Sequence, residues 1–214
     1  HIAPIFAFIG VMLVLFVKDK RLRSVGGIIT GLGILFIGME MMGLAMKPLQ
    51  SSAAFISLMS RLKNPLMGIL VGAVFTAIIQ SSSASIGILQ ILAAGGLVGL
   101  DGAVYVLFGQ NIGTCITAIM AGIGANRNAK RATLVHLIFN LIGAFVFVGI
   151  CQLTPFISWM QSLTGSPAAQ IANVHTIFNV TTALILLPAG SLLAKLTCRL
   201  LPDNPNDMEM APHF

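Results

Sequence analysis

Residues 64–100 read NPLMGILVGAVFTAIIQSSSASIGILQILAAGGLVGL, a stretch without one Lys, Arg, Asp or Glu. Its centre is nevertheless polar: Gln80-Ser81-Ser82-Ser83-Ala84-Ser85. The apolar arms on either side, 65–79 and 84–98, would each be about 22 Å long as helix, short of the roughly 30 Å of hydrocarbon in a bilayer. Such arms suit a re-entrant helical hairpin with its polar tip near mid-membrane. One long tilted helix over 64–100 is the alternative.

The rest of the composition agrees with a lipid setting. Of 214 residues, 57% are hydrophobic and 8% charged, and the mean hydropathy is +0.96. A soluble domain carries about 25% charged residues to face water, so this chain must turn apolar surface to lipid. The net charge of +6 comes from Lys and Arg in short loops, where they orient the chain in the membrane. It is not a nucleic-acid footprint. Cys115, Cys151 and Cys198 lie in apolar runs without metal-ligand spacing and read as small packing residues. No basic leader or cleavage site precedes Ile2, and His1 reads as a cut point.

Outward from the hairpin, charge-free stretches mark the spans. Residues 2–17 form a short span stopped by Lys18, Lys20, Arg21 and Arg23. Residues 24–46 form a second, containing Glu40 and ended by Lys47-Pro48. Residues 49–63 are amphipathic and read as an interfacial helix closed by Arg61 and Lys63. After the hairpin, 102–126 form a span with Gly109-Gln110-Asn111-Ile112-Gly113-Thr114 inside it, expected to break the helix. From Ala132 to Ala194 no Lys, Arg, Asp or Glu occurs. Thr154-Pro155 and Gly165-Ser166-Pro167 divide that run into two spans and a short segment with Trp159. The expected organisation is 1–63, then 64–200, then a polar linker over 201–214 toward a cytosolic domain.

Placing 18–23, 127–131 and 195–199 on the cytoplasmic side satisfies the positive-inside rule. It does so only if 64–100 returns to the side it started from. The C-terminus is then cytoplasmic, in a multi-pass protein of the cell membrane.

Inside a bilayer, non-helical backbone is tolerated only when it is buried in protein or lines a wet cavity. Two polar interruptions therefore suggest one shared cavity. Half-helix N-termini can point N–H groups at an anion while freed carbonyls face a cation. Ser81, Ser82 and Ser83 offer hydroxyls; Gln80, Gln110 and Asn111 offer amide oxygens; Thr114 and Thr117 add more hydroxyls. Neutral oxygens of this kind suit sodium and strand no charge when the site empties. Glu40, an intramembrane acid near an interface, stays outside this set. A further echo joins His136-Leu137-Ile138-Phe139-Asn140 to His175-Thr176-Ile177-Phe178-Asn179. His and Asn at i and i+4 share a helix face, where they can tie helices together or contact a ligand.

The QSSS at 80–83 and the run GQNIGTCITA at 109–118 resemble the second of two inverted QSSS repeats in sodium-dependent phosphate cotransporters. Asn64-Pro65, RATLVHLIFNLIG (131–143) and NVHTIFN (173–179) extend the resemblance over about residues 24–190. The resemblance implies an all-α integral membrane fold with a re-entrant hairpin and a broken helix, one half of an inverted-repeat transporter. It implies symport rather than enzyme chemistry, with sodium as co-substrate and no other cofactor. It implies sodium ligands at Gln80, Ser81, Gln110, Asn111, Thr114 and Thr117, and phosphate contacts at Ser81, Ser82 and Ser83. Position 110 is commonly Ala or Ser in that family, which sets Gln110 apart. Only one QSSS occurs here, so the expected partner is either a first repeat upstream or a second copy of the chain. Two other classes remain open on residues alone. One is an intramembrane serine protease with His136 or His175 as base, though no Gly-x-Ser-Gly setting is present; the other is a non-transporting membrane assembly module.

Overall fold

The computed structural model describes residues 2–202, and those residues form helices and connecting turns with no strand among them. His1 and most of the polar linker expected over 201–214 lie outside the described residues. Two compact units divide between Ser52 and Ala53.

The first unit pairs α1 (Ala3–Phe16) with α2 (Lys20–Met46), followed by a 3-10 turn over Lys47–Ser51. Asp19 caps α2 by accepting from the N–H groups of Arg21 and Leu22 at 2.9 and 3.0 Å. Lys20, Arg21 and Arg23 therefore lie in the first turns of a helix. Small residues let the two backbones touch. A Cβ added at Gly10 would meet Thr30 N at 2.4 Å, and one at Gly33 would meet Ala7 N at 2.4 Å. Lipid gives apolar helices no hydrophobic reason to associate, so such close backbone contact supplies the packing.

The second unit runs α3 (Ala53–Arg61), α4 (Pro65–Ile79), α5 (Ser82–Ala94), α6 (Leu100–Gly113), α7 (Cys115–Gly122), α8 (Arg127–Leu153), α9 (Phe156–Leu163), α10 (Pro167–Leu186) and α11 (Gly190–Leu200). Four helical stretches are long and apolar enough to cross a membrane: α2, α6 with α7, α8 and α10. The pair α3 and α4, bent by 116°, makes a fifth if counted as one span.

The decisive segment is two helices, not one. Asn64 starts α4 by accepting from Leu66 N and Met67 N, with Pro65 in the first turn where its missing N–H costs nothing. At the other end Gln80 adopts the left-handed conformation, φ 60° and ψ 19°. Ser81 is extended and caps α5, its hydroxyl accepting from Ala84 N at 3.3 Å. The chain then returns to where it began, since Lys63 Nζ lies 2.8 Å from Asp101 Oδ2. That pair is too exposed to add much stability, but it brings the two ends of 64–100 together.

Glycines then seat α6 alongside α4. A Cβ at Gly72 would lie 2.0 Å from Val106 O; one at Gly109 would lie 2.0 Å from Ile69 O, and one at Gly113 2.4 Å from Ala73 O. Gly68 meets Tyr105, Gly72 meets Val106 and Gln110, and Ala73 meets Gly113, so later residues of α4 face later residues of α6 and the two helices run parallel. Gly113, thirteen residues along α6 from Leu100, faces Ala73 and Thr76 near the end of α4, about 20 Å down a span of about 34 Å.

This packing explains why the break in the third span is narrower than the sequence suggests. Residues 109–113 stay helical, because the bare Cα atoms of Gly109 and Gly113 serve close approach to α4. The interruption is confined to Thr114, whose φ of −59° and ψ of −26° remain helical. Its N–H still donates to Gln110 O at 3.0 Å. Unwound carbonyls expected at 109–113 are accordingly absent among the described residues.

α8 runs back along α6 and α7. Gln152 Nε2 donates to the Tyr105 hydroxyl at 2.8 Å near one end, and the Thr133 hydroxyl donates to Ala118 O at 3.1 Å near the other. Phe108, Phe147 and Phe178, all buried, form the aromatic centre where α6, α8 and α10 meet. Breaks fall at Thr154-Pro155 and Gly165-Ser166 as the sequence indicated. A further break at Leu187-Pro188-Ala189 makes α11 a separate helix. Arg131 donates to Leu201 O at 2.7 and 3.0 Å, which ties the start of α8 to the end of α11.

Candidate ion and phosphate site

The hairpin tip, the Thr114 hitch and the two His-x-x-x-Asn turns meet at one cavity of about 240 Å³. Ser82, Asn111, Thr114, His136, Phe139, Asn140, His175 and Asn179 line it. Ser82 opens α5, a helix of 13 residues, so the orphan N–H groups and positive dipole end of that helix sit there. Asn111 and Thr114 come from α6 and its end, His136 and Asn140 from α8, and His175 and Asn179 from α10.

Of the residues singled out by sequence, Ser82, Asn111 and Thr114 share this space. Gln80, Ser81, Ser83 and Thr117 are exposed on the surface of the chain near the same level. Gln80 Nε2 reaches Met120 Sδ at 3.8 Å, and the Thr117 hydroxyl donates to Thr114 O at 3.0 Å. Gln110 is 1% exposed and turns toward α5, where its Nε2 donates to Ser85 O at 3.0 Å. Its Oε1 is buried without a hydrogen-bond partner, and so are Thr76 Oγ1 and Ser85 Oγ. Orphaned buried oxygens are rare enough to need a reason. These three lie on α4, α5 and α6, the helices that build the tip and the span beside it.

Thr76, Ser85 and Asn140 were missed by the motif reading. Thr76 carries no signal, being a single hydroxyl residue in an apolar helix, whereas Ser85 ends the polar centre 80–85 without entering the ligand set. Asn140 and its counterpart Asn179 were visible in the His-x-x-x-Asn echo, which pointed as much to helix joining as to a site. Part of that joining is real: Asn140 Nδ2 reaches Cys115 Sγ on α7 at 3.5 Å. No described hydrogen bond links either imidazole to a serine.

Comparison with known proteins adds the decisive observation. The family model described as Na+/Pi-cotransporter matches residues 1–44 and 38–166. This chain belongs to the Na+/Pi-cotransporter family. Among its relatives is the Uncharacterized protein YqeW of Bacillus subtilis, 34% identical over 91% of this chain and 63% of that protein. YjbB of Salmonella typhimurium, whose name gives it as a candidate for inorganic phosphate export, is 27% identical over 99% of this chain and 39% of that protein. Human sodium-dependent phosphate transport protein 2B is 30% identical over 51% of this chain and 17% of that protein. The chain thus spans under two thirds of the length of these relatives. No solved structure matches it. Na+/Pi cotransporters are transporters rather than enzymes, which removes the reading as a serine protease with His136 or His175 as base. As a Na+/Pi-cotransporter chain with several apolar helices of spanning length, it is a membrane protein.

Proposed function

We propose that this chain forms part of a sodium-coupled carrier of inorganic phosphate in the cell membrane, with its C-terminus cytoplasmic. The observation that carries the reading is the cavity, which sets the start of α5 beside neutral oxygens of α6, α8 and α10. In this reading the α5 N-terminus and Ser82 hold the anion, with Ser81 and Ser83 completing its shell. Asn111 and Thr114 take sodium, with Gln80, Gln110, Ser81 and Thr117 as its remaining ligands. Binding both in one place lowers the electrostatic cost of moving either through hydrocarbon.

The exposed row Gln80, Ser81, Ser83 and Thr117 would be costly against lipid. A covering element, either the first QSSS repeat or a second copy of this chain, meets that requirement and closes the shell. The name of YjbB speaks of export and that of protein 2B of sodium dependence. A carrier with one reversible site moves phosphate either way, as the gradients dictate.

Radiolabelled phosphate flux in proteoliposomes of the intact protein tests this reading. Expected are flux that follows an imposed sodium gradient in either direction and no flux when potassium replaces sodium. Sodium-independent flux would remove the coupling; no flux under any gradient would remove the transport reading.

A second experiment addresses the hairpin. If 64–100 enters and leaves by one face, cysteines at Ser60 and Ala94 will both be labelled from one side of the membrane. A cysteine at Asn128 will be labelled from the other. The background carries Cys151→Ser and Cys198→Ser and keeps the buried Cys115. Labelling of Ser60→Cys and Ala94→Cys from opposite sides excludes re-entry.

A further inference from the structure

Asn140 and Asn179 lie outside the ligand set that the motifs suggest, yet both line the cavity beside Ser82. Their amide orientation is fixed by chemistry, because a backbone carbonyl can only accept. Asn140 Nδ2 donates to His136 O at 3.0 Å, and Asn179 Nδ2 donates to His175 O at 2.8 Å. Asn111 repeats the pattern, its Nδ2 donating to Leu107 O at 2.9 Å. The Thr114 hydroxyl gives its proton to Gln110 O at 2.9 Å.

Each carboxamide thus has an N–H committed to its own helix, and Asn140 Nδ2 also reaches Cys115 Sγ at 3.5 Å. That anchoring turns the amide nitrogens toward their own helices and leaves three carboxamide oxygens and the lone pairs of one hydroxyl as acceptors, beside one remaining N–H on each of Asn111 and Asn179. Asn111 and Asn140 are only 9% and 4% exposed. Neither of their oxygens has a hydrogen-bond partner among the described residues, nor is either fully shut off from space. The cavity is the space they share. Neutral acceptors repel the unprotonated oxygens of an oxyanion and suit a hard cation, which oxygen ligands coordinate readily.

We propose that Asn140 and Asn179 are sodium ligands, extending the cation wall of the cavity from Asn111 and Thr114 onto α8 and α10. The inference rests on the sodium-coupled reading and adds two helices to it. With these ligands, a bound sodium ion bridges α6, α8 and α10, so occupancy fixes the relative positions of three spans. Ser82 and the α5 N-terminus remain for the anion.

The test is the thermal stability of the purified intact protein as sodium chloride replaces potassium chloride at constant ionic strength, without phosphate. A ligand at free concentration c that binds only the native state stabilises it by RT ln(1 + c/Kd), so the sodium concentration at which melting begins to climb, taken as the sodium midpoint, reports sodium affinity. Asn179→Ala removes an oxygen whose amide hydrogen-bonds within its own helix, to His175 O. It is expected to raise the sodium midpoint about tenfold, as loss of one contact to a charged species does, with little change of melting in potassium. Asn140→Ala should shift the midpoint similarly, and Asn140→Asp, which keeps an oxygen, should recover it. A lowered melting temperature in potassium with an unmoved sodium midpoint means packing alone and overturns the proposal. So does the absence of any sodium-dependent stabilisation in the parent. A shift in the phosphate midpoint without one in sodium overturns it too, by assigning these oxygens to the anion's hydroxyl. If the sodium midpoints move as expected but the parent carries no phosphate, the cation wall stands and the transport reading fails.

Discussion

Gln80→Gly is expected to leave the protein as stable as its parent, or slightly more so, while raising the sodium concentration for half-maximal phosphate flux ten- to a hundredfold. Gln80 is the only non-glycine residue with positive φ among those described, at 60°. Holding a side chain in that conformation costs about 1–2 kcal/mol, which glycine does not incur. Glycine gives part of this back through the greater freedom of the unfolded chain. The turn itself thus asks for glycine, and the glutamine side chain has another use. If that use is to supply an oxygen to sodium, its removal costs about 1.5–3 kcal/mol of cation affinity. Thr114→Val, nearly equal in volume, should act in the same direction. Ser82→Ala should weaken phosphate more than sodium, since it faces the cavity at the start of α5. Parental sodium dependence in both Gln80→Gly and Thr114→Val, with normal folding, would falsify the assignment of the tip to the cation.

A larger effect on the fold is expected from Gly109→Val. Its first added carbon would overlap Ile69 O at 2.0 Å, and that oxygen is backbone on a neighbouring helix rather than a side chain that can swing away. Separating α4 from α6 to make room also undoes the contacts at Gly72 and Gly113. Overpacking of a tight site commonly costs about 1–3 kcal/mol, and a backbone clash belongs at or above the top of that range. Melting of the detergent-purified protein should drop by ten degrees or so, on the order expected for such a loss. Gly149→Ala on α8, with nothing within 4 Å of the added carbon, is the control and should be neutral or mildly stabilising. Equal melting of the two variants would mean that the seam is not held as described.

The sequence was most readable where chemistry and length conflict. A charge-free run with serines at its centre cannot be an ordinary span, and its two short arms appear as α4 and α5 with the turn at Gln80-Ser81. Proline and capping residues made the breaks at Thr154-Pro155 and Ser166-Pro167 legible in the same way. The glycines of GQNIGT were harder, because glycine loosens a helix and also lets helices touch, and a single chain does not say which. Here a facing Gly68-x-x-x-Gly72 on α4 makes close packing the answer, and only Thr114 departs from regular helix. The cavity was half legible. Ser82, Asn111 and Thr114 sit in conspicuous motifs, whereas the His-x-x-x-Asn echo that holds Asn140 and Asn179 leaves helix joining and ligand contact both open until α8 and α10 pack around the same space. The orphaned oxygens of Thr76, Ser85 and Gln110 are properties of three-dimensional enclosure and have no one-dimensional trace.

The glycine seam between α4 and α6 also limits how the protein can move. With carbonyls seated where side chains would otherwise be, sliding one helix past the other by one residue drives a Cβ into a backbone oxygen. The next compatible register is four residues away, a step of about 6 Å. The hairpin therefore cannot work as a piston that raises and lowers its serine tip by small amounts. In the carrier reading proposed above, exposing the tip to one side and then the other calls for tilting α4 and α6 together as a single lever.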